Sequence, residues 1–127
     1  TLDLKSAWSR TVTFDSEESD AKPLSITQAD KLGIGGSLWD AALTLMFFFA
    51  RRKEFPAGAW KESGAIASPA AGVQPARIGR VIELGAGTGA VGVHLASLGA
   101  QVTITDIGAG HLALIKHNVD ANVKELA

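Results

Sequence analysis

One short stretch limits what this chain can fold into more than any other: VIELGAGTGAVG, residues 81–92. It continues the apolar run RVIEL (80–84), which reads as a buried strand of a parallel sheet. Gly85, Gly87 and Gly89 follow at alternate positions. Glycine lets a backbone turn sharply and approach a ligand without a Cβ in the way. TGAVGVHLASLG (88–99) then sets Ala90, Val91, Leu95 and Leu98 at helical spacing, with Gly99 as the stop. AQVTITD (100–106) alternates like a strand and ends in Asp106. GHLALIKHNVDANVKEL (110–126) is helical, with Leu112, Ile115, Val119 and Val123 on one stripe. Strand, helix, strand, helix in that order predicts a right-handed βαβ unit and an α/β fold on a parallel sheet.

The turn after the first strand of such a sheet lies at its carboxyl edge, where ligands bind. The next helix aims free N–H groups and the positive end of its dipole at that place. Three cofactor readings compete. A phosphate-binding P-loop needs Lys and then Ser or Thr after its last glycine; Ala90 and Val91 stand there instead. A dinucleotide fold fits the letters, because GAGTGA satisfies G-x-G-x-x-G/A and Asp106 lies about where a ribose-binding acid belongs. Glu83 favours the third reading. It puts a carboxylate at the end of an otherwise apolar strand, a cost unless it is paired or solvated, and it would repel a pyrophosphate. S-adenosylmethionine has no phosphate, and its sulfonium and ammonium suit a nearby acid. The residues favour S-adenosylmethionine, with NAD and a ligand-free glycine turn as alternatives. Asp106 would then accept both ribose hydroxyls, a hydrogen bond to a charged acceptor contributing roughly 1.5–3 kcal/mol. Its competing role is a cap on the next helix.

Upstream, SRTVTF (9–14) and KPLSIT (22–27) read as strands, with DSEESD (15–20) as the turn of a hairpin within residues 1–30. KLGIGGS (31–37) reads as a glycine loop, with Ser37 capping a helix over 38–52. That helix carries AALTLMFFFA (41–50), too short for a bilayer, which needs ~20 residues. Asp40 before it and Arg51, Arg52 and Lys53 after it suit the helix dipole, so a core helix is expected. The Ala-, Gly-, Ser- and Pro-rich residues 55–76 read as a mobile surface loop pinned by Trp60. Trp8 reads as a packing residue. His94, His111 and His117 read as helix-surface residues without ligand-spaced partners, and no metal site is expected. Lys and Arg number 12 against 13 Asp and Glu, which gives no electrostatic footprint for nucleic acid. No cysteine is present, which excludes disulfides, thiolate zinc sites and cysteine nucleophiles. No signal-peptide pattern opens the chain, and a cytoplasmic location with no membrane partner is expected. A length of 127 residues suits one domain.

VIELGAGTGAVG followed by GAQVTITD resembles motif I and the next strand of the seven-β-strand methyltransferases, which have a Rossmann-like class I sheet. LSITQADKLGIGGSLWDAALTL (24–45) is similar to the segment before motif I in the methyltransferase-like family of protein-lysine methyltransferases. That family includes enzymes acting on valosin-containing protein and on Hsp70-type chaperones. The shared residues are Gln28, Gly36 and the run Trp39, Asp40, Ala41, Ala42. HNVDAN (117–122) resembles the family's helix ending in two asparagines, here Asn118 and Asn122. The resemblance covers residues 24–127 and implies methylation of lysine on a protein substrate such as a chaperone or AAA ATPase. It implies that Trp39 packs beside the cofactor, that Gly85, Ala86 and Gly87 approach its methionine part, that Glu83 lies near the amino-acid end, and that Asp106 holds the ribose. The competing reading of Trp39 is a core residue at a helix start. The family's acidic-x-x-Tyr motif and adenine-side Trp have no counterpart here, so the catalytic side is expected beyond residue 127. The chain therefore reads as the N-terminal half of one methyltransferase domain, with residues 80–127 as its cofactor-binding part. Two parallel strands leave long edges, which a later segment or another chain is expected to cover. A non-catalytic methyltransferase-like subunit of a larger assembly is the alternative function.

Overall fold

The computed structural model describes residues 4–14, 21–51 and 80–123. In order these form β1 (Ala7–Val12), β2 (Leu24–Ala29), a 3-10 segment (Asp30–Gly36), α1 (Asp40–Arg51), β3 (Arg80–Glu83), α2 (Ala90–Ser97), β4 (Gln101–Ile104) and α3 (Ala109–Asn122). The expected turn over 15–20, the loop over 55–76 with its Trp60, and the helix tail over 124–126 fall outside the described residues.

β1 and β2 pair antiparallel, from Ala7 opposite Ala29 to Val12 opposite Leu24. β1 lies two residues earlier than its sequence pattern suggested and β2 two residues later. Pro23 has no N–H to give a ladder, so β2 starts at Leu24, just after it. Trp8 is 51% exposed rather than packed. The glycine segment is not an open loop. It is 3-10 structure broken by a kink at Gly33 (φ 62°, ψ −139°). A Cβ at Gly36 would collide with the carbonyl of Ala29, so the segment folds back tightly on the end of β2. Ser37 ends this segment, its N–H on the Ile34 carbonyl, and does not cap α1. α1 begins at Asp40, where Leu43 N–H bonds the Trp39 carbonyl at 3.1 Å. The two helical pieces meet at a 53° bend, and among the described residues no single helix is long and apolar enough to cross a membrane.

The core explains why α1 is so apolar. Met46 is fully buried, with Ala42, Leu43, Phe47 and Ala50 packed on the same cluster. Opposite stand Val12, Phe14, Leu24 and Ile26 from the hairpin and Ala90 and Val93 from α2. His94 belongs here too, which corrects its reading as a surface residue. It is 0% exposed and stacks on Phe14 at 4.6 Å between ring centroids. α2 is buried along most of its length, so its histidine has no solvent to face.

β3 and β4 pair in parallel, Arg80 opposite Gln101 through Glu83 opposite Ile104. Val81 and Val102 pack beneath α2, but Ile82 on the other face is 63% exposed. One face of this pair is thus covered among the described residues, not both as the run RVIEL suggested. The stripe of α3 is also shifted. Leu114, Ile115 and Asn118 are buried, while Leu112 is 48% exposed.

α3 is fastened to β2 by two side-chain amides. Asn118 accepts from Thr27 N–H at 2.8 Å and donates to the Thr27 carbonyl at 3.0 Å. Asn122 does the same for Ser25, both contacts at 2.8 Å. Residues four apart lie on one helix face, and residues two apart share one strand edge. The asparagines therefore act as a substitute strand on the open edge of β2 and satisfy backbone groups that would otherwise lack partners. Asn118 donates further to the Thr88 carbonyl at 2.9 Å, which ties the glycine turn to the same staple.

Candidate cofactor site

The glycine turn joins β3 to α2. Gly85, Gly87 and Gly89 have φ of 63°, 57° and 75°, a left-handed region that other residues rarely adopt. The turn is held by backbone bonds from Ala86 N–H to the Thr105 carbonyl (2.9 Å) and from Gly89 N–H to the Ala86 carbonyl (2.8 Å). α2 starts at once, so its first N–H groups face the turn. Thr105 and Asp106 follow β4 directly and lie beside the turn. Thr105 bonds the Glu83 carbonyl twice, through its N–H at 2.9 Å and its hydroxyl at 2.7 Å.

Both acids are engaged. Asp106 Oδ2 accepts from Gly87 N–H and Oδ1 from Ile107 N–H, each at 2.6 Å. A carboxylate has about four lone-pair sites, so room remains for hydroxyl donors. Asp106 does not cap α3, whose N-cap is Gly108 with no side-chain bond. Glu83 Oε2 accepts from Gly92 N–H at 2.8 Å, inside α2. Burial raises the Glu83 pKa, the Gly92 N–H opposes that rise, and the nearby Asp106 charge adds to it. Gly92 is required by this contact. A Cβ there would stand 2.5 Å from Glu83 Oε2 and 2.5 Å from Ile104 Cγ1.

A cleft of about 550 Å³ opens over the turn, and Trp39, Glu83, Gly85, Ala86, Gly87 and Asp106 all line it. The six residues singled out in the sequence thus meet at one place, although they come from three separated stretches. Trp39 is 55% exposed, so it is not a core residue at the helix start. Its indole N–H donates to the Ile34 carbonyl at 2.9 Å, which fixes the ring against the 3-10 segment. Gln28 holds the same region from below: its Oε1 accepts from Leu38 N–H at 2.7 Å. Ile34, Gly35, Ile107 and His111 are among the other residues of the walls.

Of the three histidines, then, His94 is core and His111 lines the cleft. His117 Nε2 lies 3.1 Å from the Thr27 hydroxyl. Sequence reasoning passed over Gly92, His111 and the stapling role of Asn118. Gly92 carried a signal, since glycine inside a helix costs about 1 kcal/mol relative to alanine and calls for a packing reason. His111 carried none, because the groups that shape its place lie far away in the chain.

The arrangement can hold a nucleoside with an amino-acid tail. It offers a glycine turn with exposed backbone, a helix N-terminus, an acid at the end of each strand and an aromatic wall. The sequence model of the lysine methyltransferase family matches residues 18–127. Over 103 residues the chain is 40% identical to mouse (Mus musculus) EEF1A lysine methyltransferase 3, covering 79% of this chain and 35% of that protein. It is 38% identical over 102 residues to the Xenopus tropicalis protein of the same name, covering 79% and 36%. Mouse protein N-lysine methyltransferase METTL21A is 39% identical over 93 residues, covering 73% and 33%. The chain spans about a third of the length of these curated relatives.

Proposed function

The chain belongs to the lysine methyltransferase family, and from that premise we propose that the whole protein transfers a methyl group from S-adenosylmethionine to lysine on a protein substrate. The observation that carries this reading is the convergence of Trp39, Glu83, the glycine turn and Asp106 on one cleft. The residues fit the cofactor. The turn would let the methionine part come close to the backbone at Gly85, Ala86 and Gly87. Asp106 would take the ribose hydroxyls on its remaining lone pairs, and Glu83 would lie near the ammonium. Trp39 would cover one side. Bound there, S-adenosylmethionine would supply an electrophilic methyl group on its sulfonium.

Within this proposal the sheet is the front of a Rossmann-like class I methyltransferase sheet, and residues 1–127 are the N-terminal part of one domain. The chain's own residues bind and orient. The groups that align a neutral lysine amine for in-line attack and strip its water come from outside these 127 residues. The substrate is EEF1A, as the relatives' names suggest, or a chaperone or AAA ATPase, and the site of action is cytoplasmic. A non-catalytic subunit of a larger assembly is the second reading. In that reading a partner chain would cover the exposed face at Ile82, as later strands of the same chain would in the first.

Isothermal calorimetry tests the cofactor. The protein should bind S-adenosylhomocysteine and ignore NAD. Tighter binding of NAD would overturn the methyltransferase reading. Binding of S-adenosylhomocysteine with no methyl transfer to any lysine protein in radiolabelled extracts would favour the non-catalytic subunit.

A further inference from the structure

We infer that His111 is a positioning residue of the cleft: its imidazole is a strut between the β4–α3 turn and the 3-10 segment, and it sets where Ile34 and Trp39 stand over the glycine turn. What the cleft holds rests on the function proposed above. The strut itself rests on packing.

His111 lies in the first turn of α3. Gly108, with φ 87°, turns the chain so that a Cβ on it would lie 3.6 Å from Nδ1 of the ring. On the other side, a Cβ on Gly35 would collide with Nε2 and lie 2.6 Å from Cδ2. The ring therefore fills the gap between Gly108 and Gly35, with one nitrogen towards each. Gly35 is not among the glycines with positive φ. Its φ does not call for glycine, so the side-chain space there is taken by the imidazole, which would have to shift to admit a Cβ. The column continues: the Gly35 carbonyl oxygen lies 3.0 Å from where a Cβ on Gly87 would be. Imidazole, Gly35 and Gly87 thus form one packed stack from α3 to the glycine turn. A second contact runs beside it, since a Cβ on Gly110 would lie 2.7 Å from Leu32 Cδ2.

The parts moved by this stack are those that face the cleft. Ile34 adjoins Gly35, and its carbonyl holds the Trp39 indole. Gln28 anchors the far end of the segment at Leu38. Close-packed groups transmit a displacement, because interiors have little free volume. A smaller side chain at 111 would leave the segment unsupported at its middle while its ends stayed fixed. The shape and thickness of the ring carry the effect, so a flat aromatic ring should replace it.

The test uses the full chain as the gene encodes it, S-adenosylhomocysteine as the probe in calorimetry, and hydrogen exchange as an independent readout. His111→Ala should weaken binding by about 3–10-fold, and amide exchange should rise across residues 30–39 while the hairpin and α2 stay protected. His111→Phe should stay within about threefold of wild type. Gly35→Ala should weaken binding by about 3–10-fold with the ring in place, and Gly35→Ala with His111→Ala should bind better than Gly35→Ala alone. If Gly35→Ala fails to fold, recovery of folding in the double variant reports the same clash. A harmless Gly35→Ala, a double variant no better than Gly35→Ala, or exchange raised evenly over the molecule would overturn the strut. Failure of wild type to bind S-adenosylhomocysteine would overturn the proposed function instead, and the exchange pattern would still decide the strut.

Discussion

Replacing His94 with leucine should flatten the acid side of the stability profile. His94 is fully buried, and neither ring nitrogen has a partner of good hydrogen-bond geometry, the Met46 backbone giving only a weak contact. Burial lowers its pKa from 6.5 to about 4, and the Met46 backbone offsets only part of that shift. The fold accepts the neutral ring, so below pH 6.5 the unfolded chain binds a proton that the folded chain refuses. The penalty is absent well above pH 6.5, grows as the pH falls towards about 4, and levels off below that. A gap of about 2.5 units at 1.36 kcal/mol per unit amounts to roughly 3 kcal/mol. That is a large share of the total stability of a typical domain. Leucine cannot titrate and leaves no unpaired nitrogen, which relieves about 1–3 kcal/mol per buried polar group. It also loses the stack on Phe14, worth about 0.5–1.5 kcal/mol, which offsets part of that gain at pH 7. Urea unfolding at pH 7, 6, 5 and 4 measures both proteins. Glu83 titrates in the opposite sense, because its folded-state pKa is raised, but it is common to both and cancels. The advantage of the variant should grow by roughly 3 kcal/mol towards pH 4. Parallel curves would refute the reasoning, since they would mean that the ring is hydrated or bonded and titrates normally.

Three further outcomes follow from the same geometry. Asn118→Leu should cost about 3–5 kcal/mol in urea unfolding, because it leaves the N–H and carbonyl of Thr27 and the Thr88 carbonyl without their partner; a loss below about 1 kcal/mol would show that water replaces the amide. Gly92→Ala should gain about 1 kcal/mol of helix propensity and lose more through overpacking and the broken bond to Glu83, for a net loss of about 2–4 kcal/mol. Unchanged stability would mean that Glu83 and Ile104 can yield. Asp106→Ala should weaken S-adenosylhomocysteine binding by ~10–150-fold in calorimetry while circular dichroism changes little, and unchanged affinity would remove Asp106 from the site.

The unit from β3 to α3 was legible because its signals are local: apolar period, glycine punctuation and a terminal acid. The hairpin was legible with its strands displaced, since Pro23 decides where β2 can begin and the apolar pattern does not reveal the register. The 3-10 segment was not legible. Its shape comes from contacts of Gly36 with Ala29 and of Gly35 with His111, and the second of these joins distant parts of the chain. His94 was misread because a histidine suggests a surface, yet Val93 and Leu95 beside it are buried and leave that side of α2 no polar face. RVIEL announced burial on two faces, whereas alternation exposes Ile82. The acids and glycines of the site lie within two short stretches and could be named from them. Trp39 came only through the family resemblance, because nothing local to it speaks of residues more than one element away.

The asparagine staple has a consequence for how much the chain can vary in length. It joins residues 91 and 97 positions apart, so it closes a long span when Thr27 meets Asn118 and Ser25 meets Asn122. The entropy of closing such a span grows only as a logarithm, on the order of 4 kcal/mol for about ninety residues with the constant left aside. Residues 52–79 lie inside it. Adding residues there changes the closure cost slightly, and even a doubling of the whole span would add only about 0.6 kcal/mol. Insertions between α1 and β3 are thus nearly neutral to the joint, whereas any insertion between Asn118 and Asn122 would put the second amide out of step with the strand. Divergence in this architecture should therefore collect in length on one side of the joint and in identity, not length, on the other.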